Sequence, residues 1–320
     1  MKHLLPLIGF IAVVFSCKTE NQIEKTIAAI NIDVDVERYD KLFSEITVQG
    51  LPKLKRAYPF MFAEKYSDSF WIAKKQDTLQ MQLASEVAKA FPNFKNEEAK
   101  IESLFNHLRY YFPNFNPPRI ITTTSDVDYR NKVIVTDTIA LISLDTYLGS
   151  DHEFYSGIQK YTVQNLRKEQ IVVDLANEYA KRYTFQQHRK TLLDEMIYFG
   201  KLLYFKDVVI PFVDEKERIG YSQEQLDWAI ANESYIWRYF VERELLFSTD
   251  SKLPGRFINP APFSKFYLEE IDKESPGRLG QYLGWQIVRA YMEKNNVPLK
   301  DMLIMSAEDI FNNSKFKPRK

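Results

Sequence analysis

Cys17 is the only cysteine of the chain, and its position predicts a reaction of its thiol. A short basic start precedes an apolar run from Leu4 to Ser16. A run of about 13 residues is shorter than the roughly 20 that a membrane-spanning helix needs, and the layout is typical of a secretory signal peptide. A thiol after Ser16 is the nucleophile that takes a diacylglyceryl group at a bacterial lipobox. We expect residues 1–16 to be a lipoprotein signal peptide and Cys17 to carry the lipid; the alternative is an ordinary signal peptide with an incidental cysteine.

A second group of residues has the spacing of a zinc-peptidase helix but not its ligands. In the His-Glu-x-x-His motif, two histidines four residues apart share one helix face, and the glutamate acts as general base. Asn177 and Lys181 occupy the histidine positions here, and only Glu178 remains. On the following predicted helix, Phe199 stands where such peptidases carry an acidic third ligand. We favour the interpretation that Glu178 is an ordinary surface residue paired with Lys181 or Arg182. The first alternative is a vestigial site without metal, and the second is a working metal site.

The other residues that could do chemistry form no recognised catalytic or cofactor motif. His107, His152 and His188 are scattered, whereas a zinc site needs three or four ligands that converge on the metal. The sequence also lacks a glycine-rich phosphate loop, a Gly-x-Ser-x-Gly elbow and a dinucleotide-binding fingerprint. We therefore predict a protein that is not an enzyme and uses no cofactor.

The composition describes a folded protein without a strong field of either charge. Hydrophobic residues make up 45% of the chain and aromatic residues 14%, which is enough for a packed core. The 43 lysines and arginines balance the 43 acidic residues, so no basic surface predicts nucleic acid as a partner. After the signal peptide no stretch is apolar enough to cross a bilayer. We therefore expect the membrane to be contacted through the lipid anchor alone.

The elements that position these residues are mostly helical. Residues 17–30 are polar and are predicted to form a tether between the lipid and a single globular domain at 31–320. In that domain, helical periodicity covers 37–112, a β-branched region covers 119–148, and helical periodicity returns at 165–313. We predict an α+β fold, predominantly α-helical with one small β-sheet. The peptidase-like spacing adds a degenerate zincin-like (metallopeptidase-like) fold as a further interpretation.

From residue 119 onwards the sequence pattern predicts two strands and five helices. The strands cover Arg119–Thr124 and Lys132–Leu148, with a turn at Asp126–Asn131 between them. The last long helix has Ser275 as its predicted N-cap and Pro276 at its first position. The predicted helices are Leu166–Tyr183, Lys190–Val209, Gln223–Phe247, Pro276–Lys294 and Ala307–Asn313.

Four motifs distinguish the C-terminal part of the chain. They are Ile219–Leu226, Asn232–Phe240, Phe247–Ser264 and Ser275–Arg289. Together with the lipobox-like start, they resemble the GldB family of gliding-motility lipoproteins of Bacteroidetes, most specifically between Arg218 and Pro318. The resemblance implies a lipid-anchored protein of the cell envelope that works with the gliding machinery and the type IX secretion system. It implies no catalytic activity and assigns no functional residue except the lipidated Cys17. With the signal peptide, it predicts a folded domain in the periplasm.

The last long predicted helix carries Gly280 and Gly284 on one face. Two glycines four residues apart permit the backbone of another helix to approach closely. The same helix carries Arg278, Gln281 and Arg289, so we expect it to pack against protein and not against lipid.

The segment Leu253–Phe263 is predicted to be an extended loop that prolines interrupt. Long loops with little structure of their own are often functional. Neighbouring polar and aromatic side chains suit a surface that contacts another protein. We favour a packed crossover for this segment; the alternative is a partner surface, whose candidate residues are Arg256, Phe257, Asn259, Phe263 and Lys265.

These observations leave three functions. The leading hypothesis is a non-enzymatic envelope protein, required for gliding motility, that binds other proteins of the gliding or secretion machinery. The second is a divergent or vestigial zinc-peptidase-like hydrolase that uses Glu178, which stoichiometric zinc in the purified protein would favour. The third is a glycan-binding lipoprotein, suggested by the 19 tyrosines, 23 phenylalanines and 4 tryptophans, which a glycan array would test.

Overall fold

A computed structural model of the chain describes residues 22–186 and 188–319. It confirms the predicted α+β class, because helices surround one small mixed sheet. The strands of this sheet are β1 (Val36–Glu37), β2 (Arg119–Thr123), β3 (Val133–Val135) and β4 (Ile139–Ser143). Their order is β1-β2-β4-β3; the first two pairings are parallel and the β4/β3 pairing is antiparallel. The zincin-like interpretation is not confirmed.

Helices make up most of the described chain, and short 3₁₀ turns occur at Pro59–Met61, Leu144–Thr146 and Glu153–Tyr155. The helices before and around the sheet are α1 (Tyr39–Ser44), α2 (Leu51–Ala57), α3 (Asp68–Gln76), α4 (Thr78–Ala90), α5 (Lys95–Tyr111) and α6 (Lys160–Val163). The helices after it are α7 (Gln170–Tyr183), α8 (Leu192–Val209), α9 (Glu215–Ile219), α10 (Gln223–Ala231), α11 (Glu233–Glu242), α12 (Leu253–Phe257), α13 (Glu269–Glu274), α14 (Leu279–Lys294), α15 (Leu299–Ile304) and α16 (Ala307–Ser314).

Both faces of the sheet are covered by helices. Successive residues of a strand point to opposite faces, so Ile120 and Ile121 of β2 enter different cores. Ile120 joins the large core that contains α5, α7, α8 and α14. Ile121 packs with Tyr39 and Leu54 of the N-terminal helices. The sheet is therefore the layer that joins the N-terminal helices to the helical body.

The close helix contact predicted from two glycines is confirmed, and it joins α14 to α8. An ideal Cβ at Gly284 would lie well inside 3.0 Å of the Met196 carbonyl oxygen. A Cβ at Gly200 would meet the carbonyl of Gly284 in the same way. A Cβ at Gly280 would lie 2.9 Å from the Phe257 carbonyl oxygen. Side chains at these positions would therefore separate backbones that are in direct contact.

The predicted strand Lys132–Leu148 is wrong, because it is two strands joined by a turn at 136–138. The hydroxyl oxygen of Thr136 accepts a hydrogen bond from the Ile139 N–H at 3.0 Å, and its O–H donates to the Ile139 carbonyl at 3.0 Å. A threonine side chain that bonds to nearby backbone in this way favours a turn over a continuous strand.

The predicted helix Gln223–Phe247 is also wrong in extent, because it is divided at Asn232 into α10 and α11. The Asn232 side-chain amide donates to the Trp228 carbonyl at 2.9 Å, which ends the first helix. Glu244 has a φ of 54° and lies just beyond the end of the second helix. A side-chain hydrogen bond marks the first end and a left-handed residue follows the second, and periodicity reveals neither.

The last long helix begins three residues later than predicted, at Leu279. The Ser275 hydroxyl donates to the Ser264 carbonyl at 3.0 Å and does not cap the helix. Arg278 takes the N-cap position with a φ of 62°, in the left-handed region. The first helical N–H, that of Leu279, donates instead to the Ser264 hydroxyl at 3.1 Å. Pro276 therefore belongs to the preceding turn.

The structure describes only part of the first 30 residues. The predicted signal peptide and Cys17 lie outside the described residues. Residues 22–28, within the predicted tether 17–30, are instead helical, and Ile27 is buried. The folded domain therefore begins before residue 31. Among the helices of the described residues, none combines the length and apolar character that crossing a membrane requires.

Candidate functional site

The positions predicted to be a vestigial metal site lie mostly together. Asn177 and Lys181 of α7 and Phe199 of α8 line one cavity of about 320 Å³. Glu178 does not line it; its carboxylate pairs with the Lys181 ammonium at 2.5 Å near the surface. An amide, an ammonium and a phenyl ring do not make a zinc ligand set. Within the described ranges, no group of three His, Cys, Asp or Glu residues could hold a metal ion.

The same cavity gathers positive charge from distant parts of the chain, and we call it the cationic cavity. Its polar lining also includes Asn165, Gln170, Asn259 and Gln281. Among its lining residues, Lys181 is exposed to solvent, whereas Lys206 is only 6% exposed. The charged lining residues are Lys132, Lys181, Lys206, Arg218, Arg278 and one carboxylate, Asp174.

Lys206, Arg218 and Arg278 are each placed by a different element, and of the three only Lys206 is buried. Lys206 lies in the last turn of α8, where its Nζ donates to the Arg218 carbonyl. Arg218 follows on α9, and its guanidinium pairs with Asp207 at 2.7 Å. Arg278 stands at the start of α14 and donates to the Gly220 carbonyl at 2.9 Å. Its guanidinium also lies 5.2 Å from the Tyr221 ring centroid.

The one carboxylate among the described lining residues of the cationic cavity already has partners within the protein. Asp174 accepts a hydrogen bond from the Tyr147 hydroxyl at 2.8 Å and forms an ion pair with Lys132. Neither Lys206 nor Arg278 forms an ion pair with any residue that the structure describes. These two cations therefore face the cavity with backbone carbonyls as their hydrogen-bond partners.

Burial changes the ionisation of these groups. Removal from water lowers the pKa of Lys206 to about 7 and lowers the pKa of Arg278, because burial disfavours a charged side chain. Asp174 and Asp207 oppose the shift at Lys206, whereas Arg278 and Arg218 add to it. The cavity thus holds hydrogen-bond donors and uncompensated positive charge.

Apart from Lys181, the cations of this cavity were not predicted from the sequence as site residues, although one signal was present. The helix α8 is apolar on most of its circumference, and its two buried lysines are exceptions to that pattern. The burial of Lys201 is explained by hydrogen bonds, because its Nζ donates to the carbonyls of Leu303 and Met305. Lys206 faces the cationic cavity instead. A lysine inside an otherwise apolar helix was the available clue.

The predicted partner-surface residues do not form one surface. Phe257 is buried in the main core, so its prediction as a contact residue is wrong. It ends α12, a short helix where the sequence predicted an extended loop. The Arg256 guanidinium binds the Lys265 carbonyl at 2.8 Å, and Asn259 lines the cationic cavity. Phe263 and Lys265 are exposed.

An apolar groove lies between α10, α11 and α13, next to the segment that contains the predicted partner-surface residues. Its volume is about 210 Å³, and three of its lining side chains are well exposed: Tyr235 (62%), Leu268 (44%) and Ile271 (40%). Arg238 lies 5.1 Å from the Tyr235 ring. We call it the α11–α13 groove; its other lining residues are Trp228, Asn232, Ile236, Tyr239, Glu242 and Phe266. Aromatic, aliphatic and arginine side chains together are typical of protein interfaces.

Comparison with known proteins gives one match. A family model described as the gliding motility protein GldB matches residues 20–318. No curated protein and no solved structure matches the chain. The match spans almost all of the described residues, so both the cationic cavity and the α11–α13 groove lie within the region that defines the family.

Proposed function

We infer the function from one premise: the chain belongs to the GldB family of gliding motility proteins. We propose that it is a non-enzymatic protein of the cell envelope, anchored by lipid, that assembles with other proteins of the gliding and type IX secretion machinery. The family match over residues 20–318 is the observation that carries this proposal. The family description supports a role in gliding motility, and the anchor, the partners and the absence of catalysis are parts of the proposal.

The residues at the peptidase-like positions support a role without catalysis. Asn177, Lys181 and Phe199 share a cavity, yet none of them supplies a metal ligand of the kind that zinc peptidases use. Glu178, the remaining candidate base, is engaged in an ion pair with Lys181. Stoichiometric zinc in the purified protein, or peptidase activity that Glu178→Gln abolishes, would contradict this part of the proposal.

The anchor rests on the first residues of the sequence. The apolar run before Cys17 is too short to span a bilayer, and two or three acyl chains on that cysteine would hold a protein permanently at a membrane. The folded domain would then lie on the periplasmic side, where a signal peptide delivers it.

Cys17→Ala is expected to release the protein from the membrane, because no other segment of the sequence is proposed to hold it there. The parent chain should incorporate labelled palmitate and remain in the membrane fraction after high-salt and carbonate washes. The variant should incorporate none and appear in the soluble envelope fraction. A variant that stays in the washed membrane fraction would contradict lipid anchoring.

The α11–α13 groove is the surface that we propose for the protein partner. It exposes apolar side chains of Leu268 and Ile271 beside the aromatic ring of Tyr235. Burial of such side chains provides most of the binding free energy at protein interfaces, and arginine and aromatic residues often dominate it. The occupant that we propose is another envelope protein of the gliding machinery.

Leu268→Glu combined with Ile271→Glu is expected to abolish crosslinking to a gliding-machinery protein in the native envelope. Both positions are exposed, so the fold should survive and the thermal unfolding midpoint should not change. The matched control is Leu79→Glu with Met81→Glu, which adds the same charges at two exposed positions of α4. Cells with the control should glide and cells with the groove variant should not. Equal crosslinking by the two variants would exclude this groove.

A further inference from the structure

The charge of the cationic cavity is unbalanced. Five cationic side chains line it. Lys132 pairs with Asp174, Lys181 with Glu178 and Arg218 with Asp207, whereas the other two cations form no ion pair with a residue that the structure describes. A buried cation without a countercharge is costly, and replacing such a group by an apolar residue often stabilises a protein. Lys206, which is buried, and Arg278, which is partly buried, are in this position. A bound anion would supply the missing countercharge.

We propose that the cationic cavity is a binding site for an oxyanion carried on a small hydroxylated molecule, with Lys206 and Arg278 as the main anion contacts. Lysine and arginine are the side chains that proteins use for phosphate and carboxylate groups, lysine as a compact charge and arginine as a planar fork of donors. Asn177 and Gln170 add neutral polar groups on the α7 side of the cavity.

The backbone at Arg278 adds an independent argument. Its φ of 62° is unusual for a residue with a side chain and costs about 1 kcal/mol or more. This conformation places the guanidinium in the cavity at the N-terminus of α14, a helix of 16 residues. The positive end of a long helix dipole favours an anion at that place. The helix start and the two side chains therefore favour the same charge.

A second, smaller space adjoins the cationic cavity and suggests what the anion is attached to. It has a volume of about 160 Å³ and shares Lys132, Asn165, Pro260 and Arg278 with the larger cavity. The lining of this smaller space is rich in hydroxyl and amide groups: Tyr161, Thr162, Gln164, Asn165 and Gln225. Such groups bind hydroxyls of a ligand. Glycerol 3-phosphate has this chemistry, either as a free molecule or as the headgroup of an anionic phospholipid.

The test is isothermal titration of the full-length lipidated protein in neutral detergent at pH 6.5. The probes are inorganic phosphate, glycerol 3-phosphate, D-glycerate and, as the matched neutral probe, glycerol. We expect at least one of the anionic probes, the two phosphate compounds and the carboxylate, to bind. We expect glycerol, which carries no charge, not to bind. Dihexanoyl phosphatidylglycerol, with dihexanoyl phosphatidylcholine as its control, separates the two sources: binding of this lipid identifies a headgroup site, and binding of glycerol 3-phosphate alone identifies a soluble ligand.

Three variants locate the site. Lys206→Met should weaken anion binding at least tenfold, and this variant should fold because an apolar side chain suits its buried position. Arg278→Asn should weaken binding to a similar extent, since asparagine tolerates a left-handed backbone but removes the guanidinium. Lys201→Met is the matched control: it removes a second buried lysine of α8 that lies outside the cavity lining, and the affinity should not change.

The outcomes are distinct from those of the anchoring and partner experiments. Binding of an anionic probe that Lys206→Met and Arg278→Asn weaken and Lys201→Met leaves intact would support the site. Failure of phosphate, glycerol 3-phosphate, glycerate and phosphatidylglycerol to bind would overturn it. Equal affinity of Lys206→Met and the parent would also overturn it, even though the family assignment would stand.

Discussion

Gly284→Ala is expected to lower the free energy of unfolding by about 3 kcal/mol, the upper part of the range for overpacked cores, and Gly284→Leu by more. The reason is the backbone contact between α14 and α8. A Cβ at Gly284 would fall well inside 3.0 Å of the Met196 carbonyl oxygen, which is backbone and cannot rotate away. Two long helices would have to separate, and both contribute many residues to the main core.

The measurement is urea unfolding followed by circular dichroism, with Gly255→Ala as the matched control. A Cβ at Gly255 would have no atom within 4 Å, and this glycine also lies in a helix, α12. Alanine is a better helix former than glycine by about 1 kcal/mol, so the control should be as stable as the parent or more so. A Gly284→Ala protein within about 0.5 kcal/mol of the parent would show that the helices move apart without cost.

The helices next to the cationic cavity illustrate what sequence pattern can establish. Apolar periodicity predicted α7 and α8 with the correct C-terminal ends, Tyr183 and Val209, and with starts within four residues. The glycine face of α14 was also predictable, because two glycines four positions apart on a helix favour the close approach of another helix. These predictions depend on near neighbours in sequence, where period and residue size carry the information.

The cationic cavity could not be predicted in the same way. Its charges come from 132, 181, 206, 218 and 278, on separate elements, and no local spacing connects them. The start of α14 was mispredicted for a related reason. Ser275 has the residue type of an N-cap, but the Ser264 hydroxyl, 15 residues before Leu279, receives the helix N–H. Long-range contacts override local preference at both places.

Aromatic composition was a poor guide to the contact surface. Phe257 and Tyr267 are near each other in sequence and both flank Arg256, at 4.7 Å and 4.5 Å from its guanidinium. Phe257 nevertheless lies in the core, whereas Tyr267 is 64% exposed. Residue type alone does not distinguish the two environments, because aromatic rings serve both a core and an interface. The position of α12 against α14 decides which ring is covered.

The buried Lys206 should make the protein more stable as the pH rises from about 7 towards 10. Its pKa is about 7 in the folded chain and 10.5 in the unfolded chain. Between these values the unfolded chain binds one proton more, so the free energy of unfolding rises by up to about 1.4 kcal/mol per pH unit. Lys201, with a pKa lowered to about 8, adds a contribution of the same sign above pH 8. Near pH 10 and above, buried tyrosines with raised pKa, such as Tyr58, reverse the trend.

Lys206→Met should be more stable than the parent at pH 7, by on the order of 2 kcal/mol, because the gain from removing a buried charge exceeds the loss of one hydrogen bond. Its stability should also depend less on pH between 7 and 9.5. Lys181→Met is the matched control, since that lysine also lines the cationic cavity but is exposed, and its pH profile should match that of the parent. Urea unfolding at pH 7 and pH 9.5 measures both effects.

A Lys206→Met protein less stable than the parent at pH 7 would show that the ammonium stabilises the folded chain. A more stable variant that no longer binds anions would show that Lys206 is present for binding, at the expense of the stability of the fold.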